Sequence, residues 1–383
     1  MKEQIKTRTK DMKKIIILLI FALTAQFSFA TNSDSLKRDL EDYDYLVSFV
    51  EKNYAPFDAI MQKGYKREYK TLKKRLRKQL NNGMVGLEKA ATDYVLWFHS
   101  QFDHHIQLES DTFLIAVQIQ GEKAIVKLDS TLLTNPGNFE IAPMPVSCKV
   151  DSLTWLIRVP SCEPDFYDST VNALQQFLIS DCENLIIDIR WNGGGGDNVW
   201  EGYYDLLYDH PYKPEVQWFR NTPKNLLFWK ELLELQPSSV FNRQLIERCE
   251  TSKKKFVTLG ESDNNRQPTS RIKRAAILIN FMTGSAAESL VKFVKNYSDR
   301  CKVYGICNTN GCDLTGNCRT EPLPNSHLGI FYATTVDSGF YEKNFSSEGL
   351  GIAPDVIIPL PMERKLTDNI DELVLWVAED MKK

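Results

Sequence analysis

The chain has no surplus of either charge. Its 47 Lys and Arg stand against 50 Asp and Glu, a formal net charge of −3 over 383 residues. So weak a field points away from nucleic acid and from an anionic membrane surface as partners. After the N-terminal segment no apolar run is long enough to span a bilayer. Zinc-like cysteine spacing is also missing: Cys301, Cys307, Cys312 and Cys318 are separated by five, four and five residues, with no histidine among them. No metal and no cofactor is therefore expected. The only strongly basic run, Lys66 to Lys78, keeps Tyr69, Leu72 and Leu76 at helical spacing and reads as a solvated helix face.

What is present begins with a targeting segment. Lys13 and Lys14 precede an apolar run, Ile15 to Leu23, which ends in the small-x-small pattern Ser28-Phe29-Ala30. Residues 1–30 read as a signal peptide, so the chain is expected to be exported, periplasmic or extracellular, and to begin near Thr31. No cysteine follows the run, and a lipid anchor is not expected. Export permits disulfides, and one or two local bridges between Cys301 and Cys318 are expected, with buried thiols as the alternative.

The remaining length allows two or three domains. Apolar positions at helical period from Ser35 to Phe98 predict an N-terminal helical domain, residues 31–98. Phe113 to Leu128 reads as two strands around Gly121-Glu122, and Thr154 to Val159 as another. A helix from Phe166 to Leu178, a strand at Leu185 to Ile189 and a helix from Val199 give the alternation of an α/β layer. Between about 211 and 271, aromatic residues among leucines and then a polar stretch predict a helical and loop insertion. Its aromatics either line a groove or pack as an ordinary helix pair.

Two stretches carry chemistry. In NLIIDIRWNGGGGDNVW, Asn184 to Trp200, a buried strand feeds four glycines that can present backbone N–H groups. Four glycines could equally be a loop tip. In RAAILINFMTGSAAESLVKFVKN, Arg274 to Asn296, another buried strand turns into Ser285 at the mouth of a helix. Ser285 with Glu288 is a capping box, and most such serines only cap. A nucleophile wants the same place, where free helix N–H groups can hold an oxyanion.

These stretches resemble the tail-specific, or C-terminal-processing, serine peptidases, together with the tricorn protease core and the interphotoreceptor retinoid-binding modules. The D-L-R-x-N-x-G-G pattern is matched by Asp188, Ile189, Arg190, Asn192, Gly194 and Gly195, and S-A-x-E by Ser285, Ala286 and Glu288. G-I-x-P-D is matched by Gly351, Ile352, Pro354 and Asp355. The resemblance implies a crotonase-like α/β core over residues 99–383, with Ser285 as nucleophile. It implies oxyanion donors at Ala286 and at Gly194 or Gly195. The D-x-H position of the tricorn-like branch falls on His105, with His104 as a competing neighbour, and the glutamate three before G-I-x-P-D falls on Glu348. Where the processing peptidases place a lysine base, 25 residues after the serine, this chain has Asn310. Only about fifty residues separate His105 from Trp155, so a PDZ module is absent or reduced.

The expectation is an exported serine endopeptidase acting on unfolded or C-terminal protein segments through Ser285, His105 and Glu348. Its partner is a polypeptide substrate, and homo-oligomers are allowed. The alternative is a catalytically inactive relative that binds peptides or small hydrophobic ligands.

Overall fold

The computed structural model describes residues 33–127, 145–212, 216–261, 266–341, 349–360, 362–363, 366–367 and 370–383. Residues 1–30 and Glu348 lie outside them, as does most of the loop before the G-I-A-P-D stretch.

The chain opens with helices α1 (Ser33–Asn53), α2 (Phe57–Ile60), α3 (Lys66–Asn81) and α4 (Leu87–His99). The basic run lies on α3, whose buried residues are Tyr69, Leu72, Leu76 and Leu80. That stripe lets a heavily charged helix pack on one face. A short strand β1 (Gln107–Leu108) follows, then helix α5 (Asp111–Lys127).

Helix α5 replaces the two strands expected from Phe113 to Leu128. Ser110 starts it: its Oγ accepts the Phe113 N–H at 3.1 Å, and Asp111 lies in the first turn. Phe113 is buried and Val117 packs against the same core, an i,i+4 spacing masked by the apolar residues between them. Leu114 and Ile115 are exposed.

The central sheet has the order β11-β8-β7-β4-β3-β2. Strands β3 (Thr154–Arg158), β4 (Asn184–Asp188), β7 (Arg274–Ile279), β8 (Cys301–Gly305) and β11 (Val356–Ile357) are parallel, while β2 (Val146–Lys149) pairs antiparallel at the edge. Both faces are covered, which explains the unbroken apolar runs. Leu185, Ile187, Ala275 and Ile277 face α6 (Tyr167–Leu178), α7 (Glu201–Leu207) and α10, the helix Ala286–Tyr297. Ile186, Ala276 and Leu278 face the C-terminal helix α11 (Glu372–Asp380).

The second sheet is built on β10 (Gly329–Asp337), which pairs antiparallel with β1, with β9 (Thr315–Pro322) and with β5 (Val216–Arg220); β5 in turn pairs with β6 (Phe256–Glu261). Residues of β10 share one buried cluster with α1 to α4. The expected insertion contains a packed helix pair, α8 (Pro223–Leu235) and α9 (Val240–Thr251), around Trp229 and Leu245. Its flanks are strands of this sheet. No disulfide forms among the described residues, so the one or two bridges expected between Cys301 and Cys318 are not seen, and Cys301 is buried on β8.

Candidate active site

Strands β4, β7 and β8 run parallel and adjacent, so the turns leaving their C-terminal ends collect on one edge of the central sheet. Those turns are the glycine stretch, the Ser285 turn and the loop 306–313. Asn192, fully buried, ties the first to the second. Its Nδ2 donates to the Val159 carbonyl (3.0 Å), its Oδ1 accepts the Gly194 N–H (2.9 Å), and its carbonyl accepts the Gly284 N–H (2.9 Å).

Two of the four glycines are required by space and backbone together. Gly194 has φ +103°, and a Cβ there would lie 2.7 Å from the Ser285 Cβ. Gly195 has φ +134°, and a Cβ would lie 2.4 Å from the Cys162 carbonyl. Because the Gly194 N–H is engaged by Asn192, the Gly195 N–H is the expected glycine donor still available. It and the Ala286 N–H have no intramolecular acceptor among the described residues.

Ser285 itself has φ 51° and ψ −122°, outside the regions open to a side chain without strain. Such a conformation costs on the order of 1–3 kcal/mol and persists only when the surroundings enforce it. The buried Glu288 does much of this. Its carboxylate accepts the N–H groups of Ser285 (3.0 Å), Cys312 (2.9 Å) and Gly311 (2.7 Å), and the Thr309 hydroxyl. Burial and the nearby Asp313 carboxylate push Glu288 upward in pKa, against the donors on Thr309, Cys312 and Gly311. The capping box thus also clamps the serine turn to the loop beyond β8.

The imidazole comes from the other sheet. His105, just before β1, places Nε2 3.0 Å from Ser285 Oγ. Its Nδ1 lies 2.7 Å from Thr315 Oγ1 and 3.5 Å from Asp103 Oδ1. Asp103 is fully buried. Oδ1 accepts the Thr315 hydroxyl and the His105 backbone N–H, both at 2.8 Å, and Oδ2 accepts the Tyr54 hydroxyl at 2.7 Å. Burial raises its pKa, but the hydrogen bonds and charge of His105 and the Tyr54 hydroxyl outweigh it and hold the carboxyl below its usual range.

The competing His104 goes elsewhere: its Nδ1 is 2.9 Å from Asn310 Oδ1, the position where the processing peptidases have lysine. His104 also stacks on His99 at 5.0 Å. Among the described residues no His, Cys, Asp and Glu cluster is arranged to hold a metal.

Of the residues expected from sequence, Ser285, His105, Ala286, Gly194 and Gly195 converge. Glu348 falls outside the described residues. Asn192 stood in the sequence only as a position of the D-L-R-x-N-x-G-G pattern, with no part assigned to it; Thr315 was not anticipated, nor was its contact with Asp103, at which only the D-x-H spacing hinted. Trp191, Phe281 and Met282 form an apolar lip beside the serine turn, with Trp191 and Phe281 edge to face at 5.5 Å. A cleft of about 280 Å³ runs along α10, lined by Ser289, Lys292, Phe293 and Asn296 with Asp313 and Asp337 opposite.

A hydroxyl at a strained strand-to-helix turn, facing an imidazole and flanked by backbone donors, has the layout of a serine hydrolase site. The model of Peptidase family S41 matches residues 154–358, and the chain belongs to that family. With the family comes the crotonase-like α/β fold. The matched segment contains the glycine turn and Ser285 but not His105. Among solved structures, a lipoprotein from Streptococcus agalactiae is similar at 15% identity over 89% of this chain and 95% of its own, TM-score 0.46. Mature CPAF complexed with lactacystin is similar at 17% identity over 53% of this chain and 46% of its own, TM-score 0.39. A photosystem II C-terminal processing protease is similar at 16% identity over 53% and 41%, TM-score 0.33. The last two are thus matched over less than half of their own length. No curated protein matches. No helix among the described residues is long and apolar enough to cross a membrane.

Proposed function

We propose that the chain is an exported serine endopeptidase that hydrolyses peptide bonds in unfolded or C-terminal segments of proteins. Ser285 attacks the carbonyl while His105 Nε2 takes its proton, and the oxyanion is held by the N–H groups of Ala286 and Gly195. Glu348 is the acidic residue that the family resemblance assigns to this base. The observation that carries the reading is the 3.0 Å approach of His105 Nε2 to Ser285 Oγ, with the serine at positive φ. A structural cap needs neither the imidazole nor the strain. The apolar lip suits an apolar side chain next to the scissile bond, and the cleft along α10 suits an extended peptide.

The test uses mature protein, whose N-terminus should read near Thr31. A fluorophosphonate probe should label it on Ser285, and Ser285→Ala should abolish labelling and lower hydrolysis of an unfolded polypeptide by at least about 10³-fold with the fold retained. As a cap alone, the same change would cost about 1 kcal/mol and leave turnover intact. Unchanged hydrolysis by Ser285→Ala would remove the serine mechanism.

A further inference from the structure

The Thr315 hydroxyl and the Asp103 carboxylate stand behind Nδ1 of the His105 ring, and the protons of this group can be assigned in order. Asp103 accepts from Thr315, Tyr54 and the His105 backbone, so it is held ionised and has no proton to give. Thr315, 2.8 Å from Asp103 Oδ1, must therefore be the donor in that pair. A hydroxyl has one proton. Toward His105 Nδ1, 2.7 Å away, the Thr315 oxygen can then only accept. Nδ1 consequently carries the ring proton, and Nε2 presents its lone pair to Ser285 Oγ.

We propose that Asp103 and Thr315 form a relay that fixes the tautomer of His105, and that the buried acid serving this base is Asp103, from its own loop, rather than Glu348. The proposal rests on the reading of Ser285 and His105 given above. During attack the Ser285 proton moves to Nε2, making an imidazolium. Thr315 keeps its proton, Asp103 stays ionised, and the new positive charge lies 3.5 Å from Asp103 Oδ1. Neither residue touches the substrate; both act through the ring. Their rigidity has an evident source. Tyr54 follows α1, Asp103 follows α4 and Thr315 opens β9, so one carboxylate gathers three separate parts of the second sheet's core. Thr315 also carries a constraint that a direct Asp–His pair lacks, since its hydroxyl can satisfy both neighbours in only one proton arrangement.

The experiment compares wild type with Thr315→Val, Thr315→Ser and Asp103→Asn. Ring 15N chemical shifts of His105, assigned by the signal missing in His105→Gln, report the tautomer without requiring turnover. Wild type should show the proton on Nδ1. Thr315→Val should lose that preference, and Asp103→Asn should move the proton toward Nε2, because an amide can donate to Thr315 and turn its hydroxyl around. In turnover, Thr315→Val and Asp103→Asn should lower kcat by about 10²–10⁴-fold with KM nearly unchanged. Thr315→Ser should recover to within about tenfold of wild type, a rescue that lost packing would not produce. A wild-type Nε2–H tautomer overturns the relay, as does full kcat in both Thr315→Val and Asp103→Asn. It is equally overturned if Glu348→Gln abolishes turnover while those two are silent. Should wild type neither label nor hydrolyse, the peptidase reading falls, while an Nδ1–H ring that changes in Thr315→Val still upholds the relay.

Discussion

His99 is buried beneath the site, with Nδ1 2.9 Å from the Ile106 carbonyl and its ring against His104. Burial, then the charge of a protonated His104, lowers its pKa from 6.5 to about 4. The unfolded chain therefore binds a proton in the window between those values that the folded chain refuses. Stability is unaffected by this group above 6.5, falls as pH drops through the window, and is fully reduced below about 4. At about 1.4 kcal/mol per unit the loss amounts to about 3 kcal/mol. Denaturant titrations at several pH values should show this slope, and His99→Gln should flatten it. An unaltered slope in the variant would mean that other groups set the acid limit. Because His99 lies four positions before Asp103 and six before His105, acid should loosen the base's loop before the central sheet.

At the scale of elements, the glycine turn and the serine turn are one unit. Gly194 packs against Ser285 and Gly195 against Cys162, each at positive φ, while Gly193 has no atom within 4 Å of an added Cβ. Gly194→Ala should thus push the nucleophile out of place, costing more than about 1 kcal/mol and at least about 10²-fold in labelling rate. Gly193→Ala should be nearly silent. Equal effects in the two variants would mean that the run acts as flexible chain and not as a shaped surface. Helix α10 is held at this same end, since the Trp200 indole donates to the Ala286 carbonyl at 2.7 Å and keeps the first turn in register.

For the whole molecule, the D-x-R pair after β4 does more than mark a motif. Arg190 bonds Asp188 (2.9 and 2.7 Å) and reaches Asp371 at 2.5 Å, while Arg158 bonds Asp188 at 2.7 Å and lies 3.5 Å from Asp371. Asp371 also caps α11, accepting from Leu373 and Val374. Two buried cations and two buried anions therefore dock the C-terminal helix on the central sheet, directly behind the glycine turn. Burial raises the Asp188 pKa, yet the two guanidinium groups bring it down to about 2. Removing one partner of such a network strands the others, at about 3–5 kcal/mol. Asp371→Ala should lower the free energy of unfolding by that amount, read from denaturant titration, and weaken labelling of Ser285 through the glycine turn. A loss under about 1 kcal/mol would show that α11 is held by its apolar contacts alone.

The sequence alone determined the local facts: buried strands from saturated apolar runs, the glycine turn, the serine at a helix mouth, and a basic helix face on α3. Those features follow from residue periodicity and from φ values that only glycine adopts easily, so they are written in neighbouring positions. It misread Asp111 to Lys127, where a dense apolar composition hid an i,i+4 stripe and the Ser110 cap was the only clear helix signal. It placed disulfides where Cys301 is instead buried in a strand. The pairing of His105 with Ser285, the diversion of His104 to Asn310, and the meeting of Asp103 with Thr315 were decided by tertiary structure. Those contacts join residues about 180 to 210 positions apart, the first two across the two sheets and the third within the second sheet, and direction and distance between such groups exist only once both sheets have packed.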